Sequence, residues 1–402
     1  MAAIPGDSLP LAAPAEVGMS AERLARIGPR IERDIEERRI PGAVTLVARH
    51  GKIVHLEARG YRNAEKQIPM TVDTVFRIAS MTKPITSVAL MQLYEQGAFQ
   101  LGDPIARWLP AFEKMVVAVD RPEGGFELVP ARAPIEVGHV LTHTAGFASE
   151  HNPKNTQLLR AAARVRSGDV IGDFVDRLAA LPLSREPGRA WDYSRATCVV
   201  GRLVEVISGQ TLADYFREQI CEPLGMVDTH FFLPEHKLSR FGVAYTPGPD
   251  RCIQPADPDT LESYWLSKTS RYYMGSGGLV STASDYFRFA DLLMQGGRRG
   301  AVRLLSRKTV ELMTRNHVGD LPVWLTGPGH GFGLGFGVVR DRGRTHAMAS
   351  EGSYSWGGAY CTYWWNDPVE RLTALVMTQL RPYQHLSLRA DFQTLATQAI
   401  DD

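Results

Sequence analysis

Two runs rich in β-branched and aliphatic residues, Ala43–Ala48 and Ile53–Ala58, are separated only by Arg49-His50-Gly51-Lys52. So short a connection cannot cross over a sheet, so the two strands must pair antiparallel as a hairpin. Helical and loop text then takes over, and β-like runs return only from Gly331 onward. Strands at both ends with helices between them constrain the fold more than any other feature. One antiparallel sheet has to be assembled from the two ends of the chain and covered by terminal helices. A mainly helical insertion then forms a second lobe. The expected class is therefore α/β (α+β). We expect residues 1–78 and 275–402 to form the sheet lobe and 79–274 the helical lobe. A site should lie in the cleft between them.

The elements follow from periodicity. Leu24, Ile27, Ile31 and Ile35 have helical spacing behind an N-cap at Ser20, and Pro41-Gly42 stops that helix. Thr71–Ile78 reads as extended, and a helix runs from about Ser80 to Glu95, with Gly97 at its end. Residues 100–235 read as helix and loop, with helices over Gly172–Leu181, Thr197–Ser208 and Leu212–Ile220. Residues 245–275 look like a long surface excursion. Helical spacing returns at Ser284–Met294 and Ser306–Met313. Gly331–Val339 alternates glycine with apolar residues, but Gly-x-Gly-x-x-Gly is absent, so a close-packed strand is expected rather than a phosphate loop. Tyr360–Trp365 and Leu372–Thr378 are two further strand runs, and Leu386–Ile400 is a closing helix.

Charge and cysteine usage exclude several classes. Lys+Arg 45 against Asp+Glu 44 gives a net charge of +1, with no basic cluster, so no nucleic-acid partner is expected. Cys198, Cys221, Cys252 and Cys361 are widely spaced and form no Cys-x-x-Cys pair, which argues against a zinc ribbon or a disulfide scaffold. His-Glu-x-x-His is also missing, and no metal or cofactor is expected. Met1–Val17 carries Asp7 and three prolines without a basic start, a poor secretory signal. No uncharged apolar stretch is long enough to span a membrane. These features point to a soluble, cytoplasmic protein acting on a small molecule, and they leave a homo-oligomer open.

The chemistry centres on Ser80-Met81-Thr82-Lys83. With 21 Ser and 8 Lys in 402 residues, about 0.4 Ser-x-x-Lys pairs arise by chance, so the pattern alone is weak. Its placement is more informative, because it follows a strand and opens a helix. There, residues i and i+3 share a face, and free N–H groups favour developing negative charge. Pro84 fits the first turn, although it disfavours α geometry at Lys83. A lysine of ordinary pKa is neutral only about once in 2,500 at pH 7, so a serine–lysine pair wants a third member. Tyr193 is the candidate. It lies in Trp191-Asp192-Tyr193-Ser194, a loop between the turn Glu186-Pro187-Gly188 and a helix. Buried packing is the expected role of His143. The aromatics Tyr264, Trp265, Tyr272, Tyr273, Trp324, Tyr354, Trp356 and Tyr360 should divide between a pocket lining and the core.

These pieces resemble the serine β-lactamase and penicillin-binding superfamily. Phe76-Arg77-Ile78-Ala79-Ser80-Met81-Thr82-Lys83 is similar to its first motif, and Leu141-Thr142-His143-Thr144-Ala145-Gly146 to an element of class C-like members. Tyr193-Ser194 after Pro187-Gly188 resembles the second motif. Trp356-Gly357-Gly358 stands where Lys-Thr-Gly is found in lactamases and peptidases, and Arg195 stands where class C enzymes have Asn. Trp-Gly-Gly is similar to family VIII carboxylesterases and lovastatin-type acyltransferases. Cys198 occupies a position where those relatives often carry Asp. The resemblance implies a β-lactamase/transpeptidase-like fold. It implies a Ser80 nucleophile assisted by Lys83 and Tyr193, an oxyanion hole from the backbone N–H groups of Ser80 and Ala359, and substrate contacts at Trp356, Gly357 and Gly358. The implied activity is a carboxylesterase for short-chain or aromatic esters, with acyl transfer to alcohols as a second capacity. The alternatives are a β-lactamase or D-amino-acid peptidase or amidase, and an inactive binding member. The intact Ser80, Lys83 and Tyr193 set disfavours the last, and the absent third-motif lysine disfavours the former.

Overall fold

The computed structural model describes residues 9–149, 164–166, 168–256, 264–267 and 269–402. Residues 1–8 of the lead-in and 257–263 of the 245–275 segment lie outside the described residues. Among the described residues, eight strands form the main sheet. Three come from the N-terminal part: β1 (Gly42–Arg49), β2 (Lys52–Asn63) and β3 (Ile68–Pro69). Five come from the C-terminal part: β4 (His330–Phe332), β5 (Gly337–Val339), β6 (Tyr354–Gly357), β7 (Tyr363–Asp367) and β8 (Leu372–Met377). Their order is β4-β5-β6-β7-β8-β1-β2-β3. Every neighbouring pair is antiparallel. The two ends of the chain meet where β8 lies against β1, with Val44 opposite Met377 and Leu46 opposite Leu375.

The period of two sorts β1 between two cores. Val44 and Leu46 join Trp364, Leu375 and Met377 on the face toward the helical part of the chain. Ala43 and Val47 join Trp365, Ala374 and Val376 on the opposite face. That second face is covered by α1 (Ile27–Glu36) and α5 (Leu388–Thr397), through Ile27, Ile31, Phe392 and Ala396. Both faces are therefore dry, and all of β1 is buried. On the first face lie α2 (Thr82–Glu95), α3 (Ala196–Ser208) and α4 (Ala283–Met294). Residues on all sides of α2 are buried, as suits a helix at the centre of a core.

Several elements differ from the sequence reading. The first helix is broken. Ala21–Leu24 is capped by Ser20 Oγ, which accepts from the Arg23 N–H at 3.3 Å, and α1 begins afresh at Ile27. Pro29 explains the break, because it has no N–H and its ring would strike the carbonyl of Ala25 in a continuous helix. Residues 100–235 are not helix and loop throughout. Val116–Asp120 pairs with Phe126–Pro130 as a hairpin, built on a valine-rich run and a Gly124-Gly125 turn. The described residues of 245–275 are not a surface excursion throughout, since Tyr245, Trp265 and Tyr272 are buried. Gly331–Val339 is a hairpin rather than one strand. A side chain at Gly333 would strike the Met313 carbonyl, and one at Gly335 (φ 109°) would strike Ser87.

Phe392 ties α5 to the sheet, its ring edge-on to Trp365 at 5.5 Å. Phe392→Ala should cost about 3–5 kcal/mol by cavity creation. Urea unfolding checks this, and a loss below about 1 kcal/mol would show that α5 contributes little to the sheet core.

Candidate active site

The first component is the turn that presents Ser80. Phe76–Arg77 pairs with Val280–Ser281, and the buried Gln379 side chain grips Arg77 at both backbone groups. Its Oε1 accepts from the Arg77 N–H at 3.1 Å, and its Nε2 donates to the Arg77 carbonyl at 3.2 Å. Ala79 then adopts φ 43°, an uncomfortable left-handed conformation for a residue with a Cβ. A 3₁₀ turn over Ala79–Met81 carries Ser80 and runs directly into α2. Pro84 sits in the first turn of α2, where its missing N–H leaves no acceptor wanting, and Lys83 is helical in spite of it.

Lys83 is 3% exposed. Its Nζ donates to Ser80 Oγ at 3.2 Å and to the Ser276 carbonyl at 2.6 Å, and it lies 4.7 Å from the centre of the Tyr193 ring. The Tyr193 hydroxyl donates to the same Ser80 Oγ at 2.7 Å. The structure thus brings together one hydroxyl, one ammonium and one phenol in mutual contact. The Ser276 carbonyl was not foreseen. Its segment, Gly275–Gly278, is marked only by small residues, and a Cβ on Gly275 would crowd the Thr197 carbonyl at 3.0 Å. Cys198 also reaches this segment, with its Sγ donating to Ser276 Oγ at 3.1 Å.

The Tyr193 loop is held by Thr142–Ser149. The Asp192 N–H donates to the His143 carbonyl at 3.0 Å, the Ser184 N–H to the Gly146 carbonyl at 2.7 Å, and the Gly188 N–H to the Thr144 carbonyl at 2.8 Å. Ser149 Oγ donates to the Tyr193 carbonyl at 2.6 Å. Gly146 has φ 77°, and a side chain there would collide with the Arg185 carbonyl. His143 is buried at φ 59°, and its ring lies 5.0 Å from that of Tyr193. Its Nδ1 accepts from the Ser194 N–H at 3.3 Å. Burial first, and the Lys83 charge second, hold this imidazole well below its ordinary pKa. It is a neutral packing and acceptor group behind the phenol.

The opposite wall is the end of β6. Trp356 packs against Tyr193 at 5.6 Å and Phe332 at 5.3 Å, and its buried Nε1 has no acceptor among the described residues. Gly357 and Gly358 were expected to let substrate lie close to the backbone. Both line the cavity of the site, and the direction a side chain would take from each is filled by the protein itself. A Cβ on Gly357 would meet the Arg389 guanidinium, and one on Gly358 would meet Thr362 and the Ile78 carbonyl. Ala359 follows in a turn closed by the Cys361 N–H donating to the Gly358 carbonyl at 3.2 Å. The Ala359 N–H has no acceptor among the described residues.

A cavity of about 850 Å³ joins these walls, lined by Ser80, Lys83, Tyr193, Trp356 and Ala359 together. Of the eight aromatics singled out, Trp265, Tyr272, Trp356 and Tyr360 line it. Tyr354 instead packs in the core against Phe336 and Trp364. No described Asp or Glu lines the cavity. The arrangement suits attack by a hydroxyl on an uncharged acyl group, with the Lys83 nitrogen and the Tyr193 oxygen both within hydrogen-bond reach of it.

Residues 28–398 match the family model described as Beta-lactamase. Esterase EstB of Burkholderia gladioli is 31% identical over 382 residues, spanning 89% of this chain and 91% of its own. Monacolin J acid methylbutanoyltransferase of Aspergillus terreus is 26% identical over 400 residues, spanning 92% and 93%. The solved structure described as EstCE1, a hydrolase with promiscuous acyltransferase activity, has a TM-score of 0.80 and 28% identity. It covers 95% of this chain and 99% of its own.

Because the folded site refuses a proton at His143 that the unfolded chain accepts, stability should rise with pH through the ordinary histidine range near 6.5. It should be lost progressively below that range. The His143 ring-proton resonances should not shift between about pH 6 and 8 in the folded protein. A midpoint near 6.5 would show a charged imidazole and reopen His143 as a base.

Proposed function

We propose that this chain, which belongs to the beta-lactamase family, is a carboxylic-ester hydrolase working through an acyl-enzyme on Ser80. It is an enzyme of that superfamily with its β-lactamase/transpeptidase-like fold. The observation that carries the finer reading is the pair of hydrogen bonds converging on Ser80 Oγ, 2.7 Å from Tyr193 and 3.2 Å from Lys83. We assign the cleft to the junction of a sheet lobe, 1–78 and 275–402, with a helical lobe, 79–274.

In this reading Tyr193 first gives up its phenolic proton to solvent, and the Ser80 oxygen then bonds to the ester carbonyl carbon as its own proton passes to the Tyr193 phenolate. Lys83 donates to the same Ser80 oxygen as the new bond forms. The carbonyl π electrons move onto oxygen, where the N–H groups of Ser80 and Ala359 receive them. The C–O bond to the alcohol then breaks, and the alcohol leaves with the proton from Tyr193. Water repeats the sequence in reverse to free the acid, and an alcohol in its place gives a new ester. Similarity to Esterase EstB and to EstCE1, a hydrolase with promiscuous acyltransferase activity, supports hydrolysis, and EstCE1 also supports transfer. Trp356, in the place of a third-motif lysine, supports esters over lactams. An indole packs on short-chain or aromatic neutral groups but cannot pair with the carboxylate of an antibiotic. Four free cysteines support a reducing compartment.

A fluorophosphonate ester should add one label, at Ser80. Lys83→Ala and Tyr193→Phe should each lower kcat by about 10²–10⁴-fold. Their double variant should be little worse than either, as for residues acting as a unit. Labelling elsewhere, or additive losses, would overturn the assignment.

Ester and lactam readings separate on p-nitrophenyl butyrate and nitrocefin. The wild-type kcat/KM should strongly favour the ester. Trp356→Lys should shift the ratio toward nitrocefin by roughly 10–150-fold, the worth of one charge-assisted hydrogen bond. Nitrocefin hydrolysis as fast as the ester in the wild type would promote the lactamase alternative.

A further inference from the structure

The Gly358 carbonyl and the Ala359 N–H are the two ends of one peptide unit. In a trans peptide they point in opposite directions, so a donor fixed on the carbonyl aims the N–H the other way. Besides the Cys361 N–H, which closes the turn at 3.2 Å, that donor is Arg389, which reaches over from α5. Its Nη2 donates to the Gly358 carbonyl and, at 2.8 Å, to the Thr362 carbonyl. The Gly358 N–H donates to that same Thr362 carbonyl at 2.7 Å. One nitrogen therefore braces both ends of the 358–362 turn.

The brace is fixed on its other sides. The guanidinium carbon lies 4.0 Å from the centre of the Tyr383 ring and 5.6 Å from that of Tyr363. None of the described carboxylates forms an ion pair with it. The charge is therefore spent on backbone carbonyls and ring faces. Gly357 leaves the space the guanidinium occupies, so the glycine and the arginine require each other. The turn also abuts the nucleophile's own turn, through Thr362 Oγ1 donating to the Ile78 carbonyl at 3.4 Å.

From this geometry we propose that Arg389 is a positioning residue for the oxyanion hole: it orients and polarises the 358–359 peptide so that the Ala359 N–H faces the Ser80 ester adduct. A cation on the carbonyl draws electron density from the amide and strengthens its N–H as a donor. The proposal rests on the acyl-enzyme reading given above. Arg389 touches no reacting atom in it and acts through the turn alone.

The test compares wild type, Arg389→Met, Arg389→Gln and Arg389→Lys on p-nitrophenyl butyrate and its thiono counterpart, whose C=S accepts hydrogen bonds poorly. Losing one oxyanion donor outright lowers kcat by about 10²–10³-fold, so weakening one should lower it by about 10–100-fold. Arg389→Met should show that loss with KM within about 2-fold, and its preference for the oxo ester over the thiono ester should collapse toward unity. Arg389→Lys should recover part of both, since an ammonium can still serve one carbonyl. Arg389→Gln, a polar variant, covers the case where Arg389→Met does not fold. Unchanged kcat, or a fall in kcat with the oxo/thiono preference intact, would overturn the proposal. Ser80→Ala is run beside them. Turnover surviving in Ser80→Ala would defeat the acyl-enzyme reading itself, whereas a dead Ser80→Ala beside a fully active Arg389→Met defeats only this proposal.

Discussion

The pairing of β8 with β1 is the constraint on which the rest depends. It joins strands from opposite ends of the chain, with Val44 opposite Met377 and Leu46 opposite Leu375. Both sides of the site are tied to the sheet that this pairing closes. The Ser80 turn follows the N-terminal strands, and Ala359 lies in the connection between β6 and β7. Gln379, two residues past the end of β8, holds both backbone groups of Arg77. The strand register thus sets the separation between Ser80 and Ala359. A slip of one residue would exchange the two faces of β1 and expel the core along with the site.

Within the cleft, charge is distributed so that Lys83 is the cation nearest Ser80 and no described carboxylate lines the space to pair with it. His143, the other ionisable ring in contact with Tyr193, is kept neutral by burial. An imidazolium there would compete with Lys83 for the electron-rich phenol face. A carboxylate near Lys83 would draw the ammonium away from Ser80. In the proposed reaction, excluding both leaves the amine, the phenol and the serine hydroxyl to exchange protons among themselves. On the same proposal it leaves Trp356 with a neutral, aromatic surface to offer an ester.

The sequence made Ser80, Lys83 and Tyr193 visible because each lies in a segment with its own signature. Ser80 and Lys83 share a helix start, and Tyr193 follows a Pro-Gly turn. The strand halves were visible because β1 and β2 form a hairpin that permits one pairing sense. The Ser276 carbonyl was not legible, since a backbone oxygen leaves no mark on the residue that carries it. Arg389 was hidden for a related reason. Its partners are carbonyls at Gly358 and Thr362, distant in sequence, and on an amphipathic helix it reads as one more solvated cation. The glycines at 357 and 358 were legible as a close approach, but not as an approach by the protein's own Arg389 and Ile78. The 116–130 hairpin carries ordinary strand text, and a long helical context concealed it.

Backbone strain marks the three parts of the site separately. Ala79 at φ 43° precedes the serine, His143 at φ 59° underlies the tyrosine loop, and Cys361 at φ 64° closes the Ala359 turn. Each left-handed non-glycine residue costs about 1–3 kcal/mol and persists only where its surroundings over-determine it. Here those surroundings can be named. Gln379 fixes the approach to Ala79, the Ser194 and Asp192 amides hold His143, and Arg389 braces the turn containing Cys361. Glycine at any of the three would accept the same φ without strain, but it would also widen the range of conformations open to the turn. Residues that tolerate one conformation poorly, and others worse in that setting, hold a turn more rigidly than glycine does. Rigidity of this kind is what a 2.7 Å contact at Ser80 and a fixed amide at Ala359 require, and the packing of β1, β8 and α5 supplies the energy that maintains it.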